Sequence, residues 1–288
     1  MVLATRLGRG VIPAALNGVA LVVSTRYIDA IMEIAEDSSS RSAFGNALAV
    51  ATKLPGVRID RAAYLRRSLT RHCTEAQILL AVAETPAAAG VSPEILKKVA
   101  DSAIRNEASK VTALSAAAGL PGGFAMMGSI PADAAQYLAH MLRVAQKLAY
   151  LYSWPELFSD KEDEPDDETQ NVLTLFVGVM FGVQAANKGV GIVATKLAEQ
   201  AIKQLPKKAL TKGVVYPIVK KVSLQVGAHM TKTVFANGVA KVIPVAGSVL
   251  SGGLTLATFV PMSVRLRKHL VGLPPAEVAG SKVADAIS

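Results

Sequence analysis

Four histidines, His72, His140, His229 and His269, and a single cysteine, Cys73, are the side chains best suited to bind a transition metal or to act as a nucleophile–base pair. Their spacing forms no recognisable zinc set. His72 and Cys73 are neighbours, so on a helix they point apart, and an isolated cysteine reads as inert core. His140 falls on the polar side of a periodic segment and reads as a surface residue. Gly189-Val190-Gly191 followed by Ala194 matches a loose dinucleotide fingerprint, but no acid follows about twenty positions later and no βαβ context surrounds it. Thr231-Lys232-Thr233 lacks the glycine that would precede a phosphate-loop lysine, and Ser251-Gly252-Gly253 lacks the first glycine of a nucleophile elbow. The acidic run Asp160–Glu168 has neither the alternating ligands nor the glycine of a calcium loop. These patterns predict no catalytic set, metal or cofactor. Asp133 is the one acid that stands out, at the mouth of a Gly/Pro-rich stretch containing Gly119, Pro121, Gly122 and Gly123. Together these five residues could line a groove whose N–H groups meet an anion.

The element that must position Asp133 is a helix. Val111 to Ala132 carries no charge, and Ile130-Pro131-Ala132-Asp133 then leads into a strong helical period. Leu138, Met141, Leu142, Ala145, Leu148 and Tyr152 share one face, with Gln136, His140, Arg143 and Lys147 on the other. Pro131 suits a first turn and Asp133 the positive end of a helix.

GLPGGF, then IPAD, then a long helix ending near an aromatic pair resembles the EcsC family, named for a bacterial protein encoded beside an ABC exporter. The likeness runs from about Ile59 to Lys268 and includes IPVAG and SGG near the C-terminal end. It implies tight helix packing at these glycines and prolines, a bacterial setting, and an association with ABC exporters or secretion. Ser153 stands where the family pattern carries glycine, a departure that bears on the turn closing that helix.

The remaining chain also reads as helices. Residues 11–36 form an amphipathic pattern rather than a cleaved signal, and Phe44–Leu54 stops at Pro55-Gly56. Asp60, Thr74 with Gln77, and Ser92-Pro93-Glu94 are helix starts. Arg61, Arg66, Arg67 and Arg71 make a basic flank, and Asp167–Gln170 caps the next helix. No segment alternates as a strand does. The expected fold is an all-α multi-helix bundle with Gly-rich, closely packed apolar helices. Residues 1–56 form N-terminal amphipathic helices, 57–270 an EcsC-like domain with an acidic linker at 159–168, and 271–288 a disordered tail.

Charge placement points to partners. The 288-residue chain carries a net charge of +9, and from Thr169 to Ala276 thirteen Lys/Arg face one acid, Glu199. Lys203, Lys207, Lys208, Lys212, Lys220, Lys221, Lys241, Arg265, Arg267 and Lys268 are the candidate membrane or anion contacts. Gly178, Gly182 and Ala186 form a small-xxx-small row, and Gly247, Gly252 and Gly253 are further packing glycines. The apolar stretches 172–186 and 242–264 read either as buried helices or as membrane spans. Nucleic acid is not expected, because only Tyr216, Phe235 and Phe259 offer stacking rings after residue 187. The expectation is a non-enzymatic protein at the cytoplasmic face of a membrane, or cytoplasmic. It binds anionic lipid or a membrane protein, its oligomeric state open. The alternatives are a membrane-inserting effector and a helical domain holding a lipid-like ligand.

Overall fold

The computed structural model describes residues 44–118, 130–158, 165–199, 205–206, 210–240 and 247–277. Among them every regular element is a helix and there is no strand, as the sequence predicts. The expectations for residues 1–43 and for the tail from 278 lie outside the described residues.

Residues 44–53 (α1) bury Phe44, Ala47, Leu48 and Ala51, one helical face, and the chain then turns at Gly56 with φ of +72°. Asp60 caps α2 (Arg61–Leu69) by accepting from the Ala63 N–H at 2.8 Å. Thr74 and Gln77 form the predicted capping box of α3 (Glu75–Ala83). Ser92 and Pro93 open α4 (Pro93–Ala118), which continues as helix well into the uncharged run. The N-cap of α6 (Asp167–Phe181) is Asp166, accepting from Thr169 at 2.8 Å, one residue before the expected start; Asp167 and Glu168 occupy its first turn.

At the centre lies α5 (Ile130–Leu151), buried on nearly every side from Leu138 onward and contacted by α2, α4, α6, α8 (Val215–Ala240) and α9 (Gly247–Val271). Among the described helices, α4 and α9 pack against each other most extensively. Beyond α5, Trp154 is fully buried and meets Phe176 of α6 edge to face, with centroids 4.9 Å apart.

Ser153 ends α5 with φ of +68°, and its neighbours complete a Schellman pattern: Trp154 N–H donates to Ala149 and Ser153 N–H to Tyr150. The left-handed turn that a glycine would favour is therefore present despite the serine. Its Oγ accepts from the Ala87 N–H at 3.2 Å, a bond glycine could not make. Arg61 is not part of an outer basic flank. Its guanidinium donates to the carbonyls of Ala81, Val82 and Glu84 at the end of α3, at 3.3, 2.9 and 2.7 Å, and to that of Trp154 at 3.3 Å. A cation at a helix C-terminus meets the negative end of the dipole and its free carbonyls.

The stretch 172–186 is not one helix. Gly182, with φ of +81°, ends α6, and α7 (Gln184–Glu199) begins two residues later. Gly178 and Ala186 thus belong to different helices and meet across the corner. A Cβ on Gly178 would lie 2.4 Å from Val222 Cγ1 and 2.7 Å from Ala186 Cβ. Gly189, from the dismissed fingerprint, is a second close approach: a Cβ there would meet Leu175 at 2.7 Å and Ile218 at 3.2 Å. The fifteen residues of α6 rise about 22 Å, short of a ~30 Å hydrocarbon core, and Val172–Met180 are buried in protein. Among the described residues no helix is long and apolar enough to cross a membrane.

Candidate functional site

Two places concentrate polar chemistry, one inside the bundle and one on its surface. The inner one is centred on Glu107 of α4, whose side chain is wholly buried. It lies in register with the apolar stripe Ala100, Ile104, Ala108 and Val111, so the fold carries a carboxylate into the core. From α5, His140 Nδ1 approaches Oε2 at 3.1 Å, Arg143 Nε approaches Oε2 at 3.3 Å, and Lys147 Nζ reaches Oε1 at 2.5 Å. Lys110 joins at 3.3 Å from the surface. Burial alone would raise the Glu107 carboxyl; hydrogen bonds from His140 and Lys147, with the charges of Lys147 and Arg143, outweigh it and hold the group well below the usual carboxylate range. Burial lowers Lys147, and Glu107 offsets part of that. Such a carboxylate is a poor general base. What it does is fix the register of α4 on α5. The same side of α5 grips the chain before α2: Arg143 donates to the Gly56 carbonyl, and buried Gln146 donates to Val57 at 2.8 Å and accepts from Ile59 at 3.0 Å.

His140 is therefore buried, not the surface residue its place on the polar face suggests, because α4 and the 56–59 segment cover that face. A signal was available. Glu107 sits three residues after Ile104 on an apolar stripe, and His140, Arg143 and Lys147 repeat at i, i+3 and i+7.

A second polar group, at the surface, joins exposed Glu156 to half-buried Arg61 and buried Tyr150. The Glu156 carboxylate accepts from the Arg61 N–H at 3.0 Å and the Tyr150 hydroxyl at 2.6 Å. Burial raises Glu156, and burial together with the Glu156 charge holds the Tyr150 hydroxyl well above its ordinary value.

The outer place is the exposed side of α8 and the corner it covers. Lys212, Lys220 and Lys221 are exposed, Lys220 lies 4.7 Å over the Tyr216 ring, and Val214 and Tyr216 are 70% and 38% exposed. A pocket of about 430 Å³ opens between residues 182–185 at the α6–α7 corner and Lys221, Gln225, Ala228 and His229 of α8. His229 stacks on Phe181 with centroids 6.1 Å apart.

Lys268 is exposed. Arg265 donates to the Met180 carbonyl, closing the end of α6 as Arg61 closes α3. Arg267 is 12% exposed at its side chain and pairs with Asp101 at 3.3 Å, so it faces α4 rather than solvent. Asp133 lies near the start of α5, and Gly247, Gly252 and Gly253 lie within α9. Gly119, Pro121, Gly122, Gly123, Lys203, Lys207, Lys208 and Lys241 fall outside the described residues. Among the described residues no three His, Cys, Asp or Glu side chains converge as metal ligands. No family model, curated protein or solved structure matches the chain.

Proposed function

We propose that this is a non-enzymatic, membrane-associated helical protein that binds an anionic membrane surface through the outer side of its C-terminal half. One observation carries the reading: at the start of α8 an exposed valine and tyrosine stand among three exposed lysines. Tyrosine and small apolar side chains favour the boundary between headgroups and acyl chains, and lysines favour anionic headgroups. Each lysine near such a surface contributes about 1 kcal/mol, so Lys212, Lys220 and Lys221 together supply about 3 kcal/mol. No acid opposes them nearby in sequence, since Glu199 is the only one from Thr169 to Ala276. The protein lies on the membrane rather than across it. The reading as an accessory of an ABC exporter or of secretion, at the cytoplasmic face, rests on the EcsC-like motifs alone.

Flotation with phosphatidylglycerol-containing vesicles tests the proposal. Binding at low salt that weakens steeply as salt rises, and release of membrane-bound protein by a carbonate wash, are expected. Absence of binding at low salt would sink the reading, and retention after the wash would replace it with an integral one.

A further inference from the structure

The pocket at the α6–α7 corner has a chemistry more specific than a charged surface. We infer that it is a phosphate-ester site, the place where one headgroup phosphate of a bound lipid is recognised; this rests on the membrane-binding reading above. The pocket's volume, about 430 Å³, falls within the range of small-molecule sites. Among the described lining residues Lys221 is the one cation and stands on one wall, with the Gln184 and Gln225 amides as further donors and His229 held against the Phe181 ring. No acid is among the described lining residues, and Glu199 is at the far end of α7, about 22 Å along the helix from Gln184. A cation beside neutral donors and no carboxylate fits an anion with several acceptor oxygens better than it fits a cation or an apolar tail. Ala185 and Ala228 leave the space open, and Gly182, by its left-handed backbone and its approach to Arg265, keeps a side chain out of the wall.

Lys220 is an internal control. It is exposed, carries the same charge on the next residue, and turns to Tyr216 instead of the pocket. Full-length protein is titrated with sn-glycerol 3-phosphate by calorimetry and, separately, with vesicles containing phosphatidic acid or phosphatidylglycerol. The soluble phosphate ester is expected to bind the wild type, Lys220→Gln to leave that binding unchanged, and Lys221→Gln to weaken it at least about tenfold. Ala228→Met, which fills the pocket from an exposed position without altering charge, is expected to weaken it as much. Vesicle binding is expected to fall for both lysine variants and to fall further for Lys221→Gln. Equal effects of the two lysine variants on both ligands, or an unaffected Ala228→Met, would overturn the pocket while leaving the membrane reading intact. Binding of glycerol phosphate without any vesicle binding would keep the pocket's chemistry, assign it to a free phosphate ester, and overturn the lipid source. No binding of the soluble ester would overturn the site.

Discussion

Replacing Glu107 with glutamine keeps the shape of the buried side chain and removes the one carboxylate among the described residues of its cluster. Four basic groups are affected unequally. Lys110 is 45% exposed at its side chain, so its loss of a partner costs little. Lys147 is 6% exposed and would be left charged without a counter-ion, the circumstance in which breaking a buried pair costs about 3–5 kcal/mol. A ceiling exists, because Lys147 can escape by losing its proton; from an unfolded pKa near 10.4 that costs about 4–5 kcal/mol at pH 7. The expected loss is therefore about 3–4 kcal/mol. With a urea slope of roughly 2–3 kcal/mol per molar, the midpoint falls by about 1–2 M. The single tryptophan, Trp154, is fully buried and reports the transition by fluorescence. The pH profile adds a signature. Wild-type Glu107, held below its unfolded value, stabilises above about pH 4 and loses that contribution as pH falls through its folded value. Lys147, held below its unfolded value and more so in the variant, makes stability rise with pH between the two values. The gap between the proteins should thus narrow in both acid and alkali. Lys147→Met alone removes a surplus cation and should cost under ~1 kcal/mol, and added to Glu107→Gln it should recover most of the loss. A Glu107→Gln protein within about 0.5 kcal/mol of wild type, or a Lys147→Met protein as damaged as it, would refute the reasoning.

Ser153 and the packing glycines give further tests by urea unfolding. Ser153→Ala and Ser153→Gly both lose the bond to the Ala87 N–H, but only glycine relieves the left-handed backbone, so the alanine variant should be less stable by about 1 kcal/mol. Gly178→Ala should cost about 1–3 kcal/mol through contact with Val222 and Ala186, whereas Gly191→Ala, with nothing within 4 Å, should stabilise by about 0.5–1 kcal/mol. Arg61→Met should cost about 2–3 kcal/mol by stranding the carbonyls of α3. That variant should lose more stability as pH rises through the Glu156 value, because a raised carboxyl stabilises only while protonated.

Helix starts were the most legible feature of the sequence. Asp60, Thr74 with Gln77, and Ser92-Pro93 announce themselves because a cap is a local contact within four residues. The end of α6 was less legible. Gly182 reads equally as one small residue in a row or as a left-handed stop, and only the packing of α7 and α8 decides between them. His140 and Lys147 were hidden for a different reason: a polar helical face looks solvated until another helix brings its own ion to it. The surface pocket depends on a corner and a distant helix, and no local pattern encodes that juxtaposition.

The Arg61 guanidinium has a consequence for how the protein opens. It touches carbonyls at the end of α3 and the carbonyl of Trp154 just beyond α5, while its own backbone N–H is held by Glu156. Residues 61–84 and 150–156 therefore share one fastening, although they are far apart in the chain. A fluctuation that frees either strip must release the other, so their amide protons should exchange with solvent as one set, at one opening free energy.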